Sequence, residues 1–180
     1  MADEAGSGKG AGQPQRAAAG DGAQPQLAIR AQYVKDLSFE NPQAPQALQR
    51  REPPRVELQV QVGGRALGEG NHEVELHLTA RASHGEELAF LAELVYAGVF
   101  FLANIPPEQM RPVLMVECPR LLFPFARRVV ADCTRDGGFP PLMLEPIDFA
   151  ALYRRSEAQR RAGDGGATGD GAGKSADAKA

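Results

Sequence analysis

Apolar and polar residues alternate through the first half of the chain and then change period. Val56, Leu58, Val60 and Val62 alternate with Glu57, Gln59 and Gln61; Val74, Leu76, Leu78, Ala80 and Ala82 alternate with Glu75, His77, Thr79 and Arg81. A period of two marks strands of a sheet with one covered face, so strands are expected over about 55–62 and 72–82. An earlier strand is expected over about 27–37. There Leu27, Ile29, Ala31, Tyr33 and Leu37 share one parity and Lys35 breaks it. Between these segments, the proline-dense stretch 38–54 and the Gly-rich stretch 63–70 read as loops.

A fourth strand, about 87–101, has a different pattern. Leu88, Phe90, Leu94, Tyr96 and Phe100 lie on one parity, and Leu91, Val95, Val99 and Phe101 lie on the other. A strand apolar on both faces must be covered on both. Helices of so small a domain cover only one, so another subunit or an apolar ligand is expected on the second. Glu93 is the one charge inside this strand. Such a charge guards an edge against aggregation or marks a recognition point.

Beyond residue 105 the apolar spacing becomes helical. Met110, Val113 and Leu114 belong to a helix over Glu108–Glu117, and Leu122, Phe125, Ala126, Val129 and Val130 to one over Leu121–Asp132, with Pro119 expected to separate them. Gly137 and Gly138 end the second helix. Residues 139–147 read as an extended apolar crossover. Asp148 is placed to cap a last helix over 149–161, with Phe149, Leu152 and Tyr153 on one face. Strands followed by helices make the fold class α+β.

Composition adds limits. Residues 1–26 and 162–180 are poor in large apolar groups and read as a disordered arm and a disordered tail around a domain at 27–161. The 180 residues carry a net charge of -3, which favours neither nucleic acid nor an anionic membrane surface as a partner. No secretory h-region opens the chain, and no run approaches the roughly 18 apolar residues of a membrane helix. Cys118 and Cys133 match no metal spacing and read as free thiols in a reducing compartment.

Segments that resemble chemical motifs fail on spacing or context. His72 and His77 are five apart, whereas a zinc helix needs four; on a strand they point to opposite faces. Gly171 to Ser175 resembles the end of a phosphate loop, but Thr168 stands where its first glycine is required, and Gly6 to Gly10 fails likewise. Ser83, His84, Glu86 and Glu87 read as a polar turn rather than a nucleophile with its base. No enzyme and no cofactor are expected. What remains to explain is apolar surface in strand four, the second helix and the crossover, and the acidic residues Asp36, Glu40 and Glu93.

Several ordered segments together resemble the SecB family of bacterial protein-export chaperones. They are Tyr33-Val-Lys-Asp-Leu-Ser-Phe-Glu40 followed by Pro42 and Pro45, Gly85 to Glu93, Cys118 to Arg127, and Gly138 to Phe149. The resemblance spans about Leu27 to Arg155. It implies a four-stranded antiparallel sheet of order 1-4-3-2 with helices on one face, assembled as a homotetramer, a dimer of dimers. It implies a cytoplasmic holding chaperone that binds unfolded precursor proteins without ATP, delivers them to the translocation ATPase SecA, and does not insert into the membrane. Carried over residue by residue, the SecA-binding site falls on Asp36, Glu40, Leu91 and Glu93. The expected client groove takes in Phe123, Phe125, Phe139, Leu142, Met143, Leu144 and Ile147. The rivals are a SecB-like chaperone serving other clients, such as a toxin–antitoxin system, and more distantly an oligomeric ligand-binding protein.

Overall fold

A computed structural model describes residues 24–164. The expected arm and tail, and both phosphate-loop look-alikes, lie outside the described residues except at the inner margins of the arm and tail. Four long strands come first: β1 Gln26–Glu40, β2 Arg55–Gly68, β3 Asn71–His84 and β4 Glu87–Ala103. They form one antiparallel sheet in the order β1-β4-β3-β2. Then come α1 Pro107–Pro112, a π turn Val113–Glu117, α2 Cys118–Asp136 and α3 Phe149–Asp164.

The helices lie on one face of the sheet. Val74, Leu76 and Leu78 of β3 and Leu94, Tyr96 and Phe100 of β4 pack there against Leu122, Ala126 and Val130 of α2 and Phe149 of α3. Each large side chain so buried contributes about 1.5–3 kcal/mol. Close approach needs a glycine: a Cβ at Gly98 would stand 2.7 Å from a Leu122 methyl. A smaller apolar group joins Ala47, Ala80, Ala82, Phe90 and Phe139 at the far end of the sheet.

Several boundaries differ from expectation. The stretch 63–70 is mostly strand, since β2 continues through Gly63 and Gly64 opposite Glu75 and Val74 and turns only at Gly68–Gly70. Pairing with a long neighbour outweighs weak strand propensity at two glycines. The proline-dense loop begins after Glu40 rather than at 38. The turn between β3 and β4 is shorter than expected, because Ser83 and His84 belong to β3 and Glu87 to β4. Pro119 does not separate two helices. The Cys118 N–H donates to the Val113 carbonyl, five residues back, and this wider π turn carries the helix past the proline that follows.

The end of α2 and the cap of α3 agree with the sequence. Gly138 adopts φ +89, and the Phe139 N–H donates to the Thr134 carbonyl at 3.1 Å. The Thr134 hydroxyl accepts the Leu142 N–H at 2.9 Å and so pins the crossover to α2. The Ala151 N–H donates to Asp148 Oδ1 at 2.9 Å. Cys118 is fully buried, and burial pushes its thiol up to about 12; Cys133 is half-buried. No described helix is long and apolar enough to cross a membrane.

Candidate docking face on the open side of the sheet

Strand β1 decides what the open face carries. It is an edge strand, and its register against β4 slips twice, once between Ile29 and Ala31 and once between Val34 and Asp36. Each slip inserts one extra residue, Arg30 and then Lys35, and reverses the parity beyond it. The single apolar parity read from the sequence is therefore divided. Leu27 and Ile29 pair with Leu102 and Phe100 on the helix side, Ala31 and Tyr33 with Val99 and Ala97 on the open side, and Leu37 with Leu94 on the helix side again.

The second slip assembles the acidic site. Asp36, Ser38 and Glu40 stand opposite Val95, Glu93 and Leu91, and directly opposed residues share a face. Without it, Asp36 and Glu40 would point toward the helices, and Leu37 and Phe39 toward solvent. Phe39 instead stacks on Phe90, ring centroids 5.7 Å apart. The structure thus places all four residues assigned to the site on one face: Asp36, Glu40 and Glu93 exposed, and Leu91 half-buried at the end of the row opposite Glu40. The Ser38 hydroxyl is 3.5 Å from Glu93 Oε2. None of the three carboxylates forms an ion pair among the described residues. The nearest cation on β3, Arg81, is the cross-strand partner of Leu91.

The other half of the open face carries a network that sequence reasoning did not find. Glu73 of β3 is buried although charged. Its oxygens accept the Tyr33 hydroxyl and Lys35 Nζ from β1, the latter at 3.1 Å and 3.2 Å, and Arg65 Nε from β2 at 2.6 Å. The Tyr33 hydroxyl, then Lys35 and Arg65, hold the Glu73 carboxyl down at about 2 against an ordinary 4.5, outweighing the opposing effect of burial. Glu75 is also lowered, chiefly by Lys35 Nζ at 2.5 Å, and lies 3.1 Å from His77 Nε2. The available signal was Lys35, the residue that broke the β1 pattern. No three His, Cys, Asp or Glu side chains cluster in metal-binding fashion among the described residues.

The residues assigned to the client groove divide. Phe123, Phe139 and Leu144 are buried in the core. Leu142 and Ile147 are half-buried, whereas Phe125 is 44% and Met143 58% exposed. Two apolar hollows lie elsewhere at the helix–sheet margins. One, about 460 Å³, is lined by Leu37 and Phe39 of β1 and by Val129 and Cys133 of α2. The other, about 480 Å³, lies between Val60 and Val62 of β2, Met115, and Leu152 and Tyr153 of α3.

A family model described as preprotein translocase subunit SecB matches residues 20–160. The chain belongs to the SecB family. Among curated SecB relatives, a protein-export protein SecB from Bradyrhizobium sp. (strain BTAi1) is 53% identical over 142 residues, covering 78% of this chain and 88% of the relative. A protein of the same description from Maricaulis maris is 54% identical over 150 residues, covering 83% and 87%. The fold resembles that of a SecB-like chaperone from Mycobacterium tuberculosis solved in complex with an antitoxin peptide. The TM-score is 0.57 at 19% identity, with 67% of this chain and 90% of that one covered. This SecB-type sheet, with strand order 1-4-3-2 and helices on one side, is the one the sequence led us to expect.

Proposed function

We propose that the protein is a cytoplasmic, ATP-independent holding chaperone that binds unfolded precursor proteins and delivers them to SecA. The observation that carries the delivery step is the trio Asp36, Glu40 and Glu93, without an ion pair among the described residues and aligned with Leu91 on an open sheet face. Unpaired carboxylates attract and orient a basic partner at little cost in stability, and salt weakens the attraction. Leu91 offers an apolar contact beside Glu40 and Glu93, and the basic tail of SecA is the proposed ligand.

Holding needs no reaction. A protein that binds only the unfolded state of a client draws its folding equilibrium by mass action. Apolar burial supplies affinity at about 25 cal/mol per Å² with little dependence on sequence. The proposed client surface comprises the exposed Phe125 and Met143 with Leu142 and Ile147, while Phe123, Phe139 and Leu144 support it from the core. Edge strand β1 exposes Leu27, Ile29, Tyr33, Val34 and Leu37, and α2 exposes Leu121. These two surfaces support the proposed homotetramer, in which several grooves share one long client. Light scattering is expected to give a tetramer whose mass a reductant leaves unchanged; a monomer at micromolar concentration is the opposing result.

The deciding experiment separates the two activities. Glu93→Lys removes an attraction and adds a repulsion, so calorimetry with the isolated SecA tail should show binding abolished. Suppression of aggregation of an unfolded precursor should persist. Normal tail affinity in this variant refutes the docking site, and loss of both activities makes Glu93 a structural residue.

A further inference from the structure

The second β1 slip sets a lysine beside the acidic trio. Lys35 is the inserted residue, and Asp36 takes the position opposite Val95 next to it. A lysine ammonium rides on a flexible four-carbon stem, so a cation at position 35 has Asp36 within reach and Glu93 one row away. Folded over them, it would cancel one of three negative charges and repel a basic partner. The structure holds it elsewhere. Lys35 Nζ lies 2.5 Å from Glu75 Oε1 and 3.1 Å from Glu73 Oε1. Both carboxylates are on β3, so the side chain crosses β4 to reach them. It does so beside Ala97, which is opposite Tyr33 on one side and Glu75 on the other. A larger residue at that position would block the path. Glu73 is fixed in turn by Tyr33 and Arg65, so the holder is itself rigid.

We infer that Glu75, backed by Glu73, is an internal counter-charge that keeps the Lys35 ammonium off the acidic face and thereby sets the affinity of that face for a basic segment. The inference rests on the docking reading above. Glu75 and Lys35 touch no partner themselves; they are positioning residues. Glu75 is only half-buried, and glutamine keeps its shape, so Glu75→Gln is expected to fold. It leaves Lys35 with Glu73, which Tyr33 and Arg65 already share, and the less firmly held ammonium redistributes toward Asp36.

The test is calorimetry of the full chain with the isolated basic tail at about 50 mM salt, where surface charges are weakly screened. Four proteins are compared: wild type, Glu75→Gln, Lys35→Gln and the double variant. Glu75→Gln should bind about three- to tenfold more weakly. Lys35→Gln should stay within about twofold of wild type, because a cation already held aside opposes little. The double variant should match Lys35→Gln, because Glu75 has nothing left to hold; this rescue is what a purely structural role would not produce. Three results overturn the inference: unchanged binding in Glu75→Gln, a double variant as weak as Glu75→Gln, or simple additivity with Lys35→Gln tighter by the factor that Glu75→Gln is weaker. Additivity would mean that Glu75 acts only through its own charge. A wild type that does not bind the tail, or Glu93→Lys that binds it normally, overturns the docking reading itself, a different pattern from these three.

Discussion

At one end of the open face Glu73 collects a tyrosine, a lysine and an arginine from two other strands, while at the other end Asp36, Glu40 and Glu93 collect no ion-pair partner among the described residues. Strand β1 serves both ends, and the difference lies in the side chains it meets and in the bulge. A buried carboxylate must be paired, because leaving it alone in low dielectric is costly. An exposed carboxylate carries no such requirement. Clustering three of them even costs a little through mutual repulsion. The first end therefore holds strands together, and the second is kept open at a small expense in stability, as expected of a surface reserved for a partner.

The sharpest way to break this contrast is Glu93→Lys. It should lower affinity for a basic tail by at least about 30-fold, yet move the melting temperature little, because exposed charge changes usually stay within about 0.5 kcal/mol. The reverse is expected at the other end. Glu73→Ala strips Tyr33, Lys35 and Arg65 of their common acceptor and should cost about 1–3 kcal/mol, read as a melting temperature lower by several degrees. Equal destabilisation by both changes would erase the distinction.

Acid sharpens the same comparison. The Glu73 carboxyl sits at about 2 in the folded protein against an ordinary 4.5. A depressed folded value means stability that is fully present above about 4.5 and lost as pH falls from there toward 2. Chemical denaturation across that window should show the loss, and Glu73→Gln should flatten it. The smallest expected effect is that of Ser38→Ala. It removes one long hydrogen bond to Glu93 and should change tail affinity by about twofold or less.

Much of this was legible in the sequence, and the parts that were not have identifiable causes. Strands β2 and β3 alternate strictly, so their faces could be read directly. The order β1-β4-β3-β2 rested on the resemblance, whose implied site needs Asp36 and Glu40 beside Glu93 and so β1 beside β4. The register of β1 was hidden, because a bulge adds one residue without any residue type that announces it; Lys35 looked like an exception when it was the insertion. The Glu73 network escaped because Glu73 falls in a regular polar position, and only the side chains that reach it from β1 and β2, Tyr33, Lys35 and Arg65, make it a buried one. Phe123 and Phe125, two residues apart on α2, look alike in sequence. One meets the ring of Phe149 at 6.1 Å and the other faces outward, a matter of where the sheet lies rather than of local pattern.

Strand β1 is the first of the described elements, yet its hydrogen-bonded neighbour among the described residues is β4, the last strand of the sheet in chain order. During synthesis at about 5–20 residues per second, β1 emerges seconds before anything exists for it to pair with. Strands β2, β3 and β4 form a local meander that can close first, leaving the apolar β1 as the last piece to dock. A growing chain of this protein thus passes through a stage in which it presents an unpaired apolar segment of the kind a holding chaperone is built to shelter.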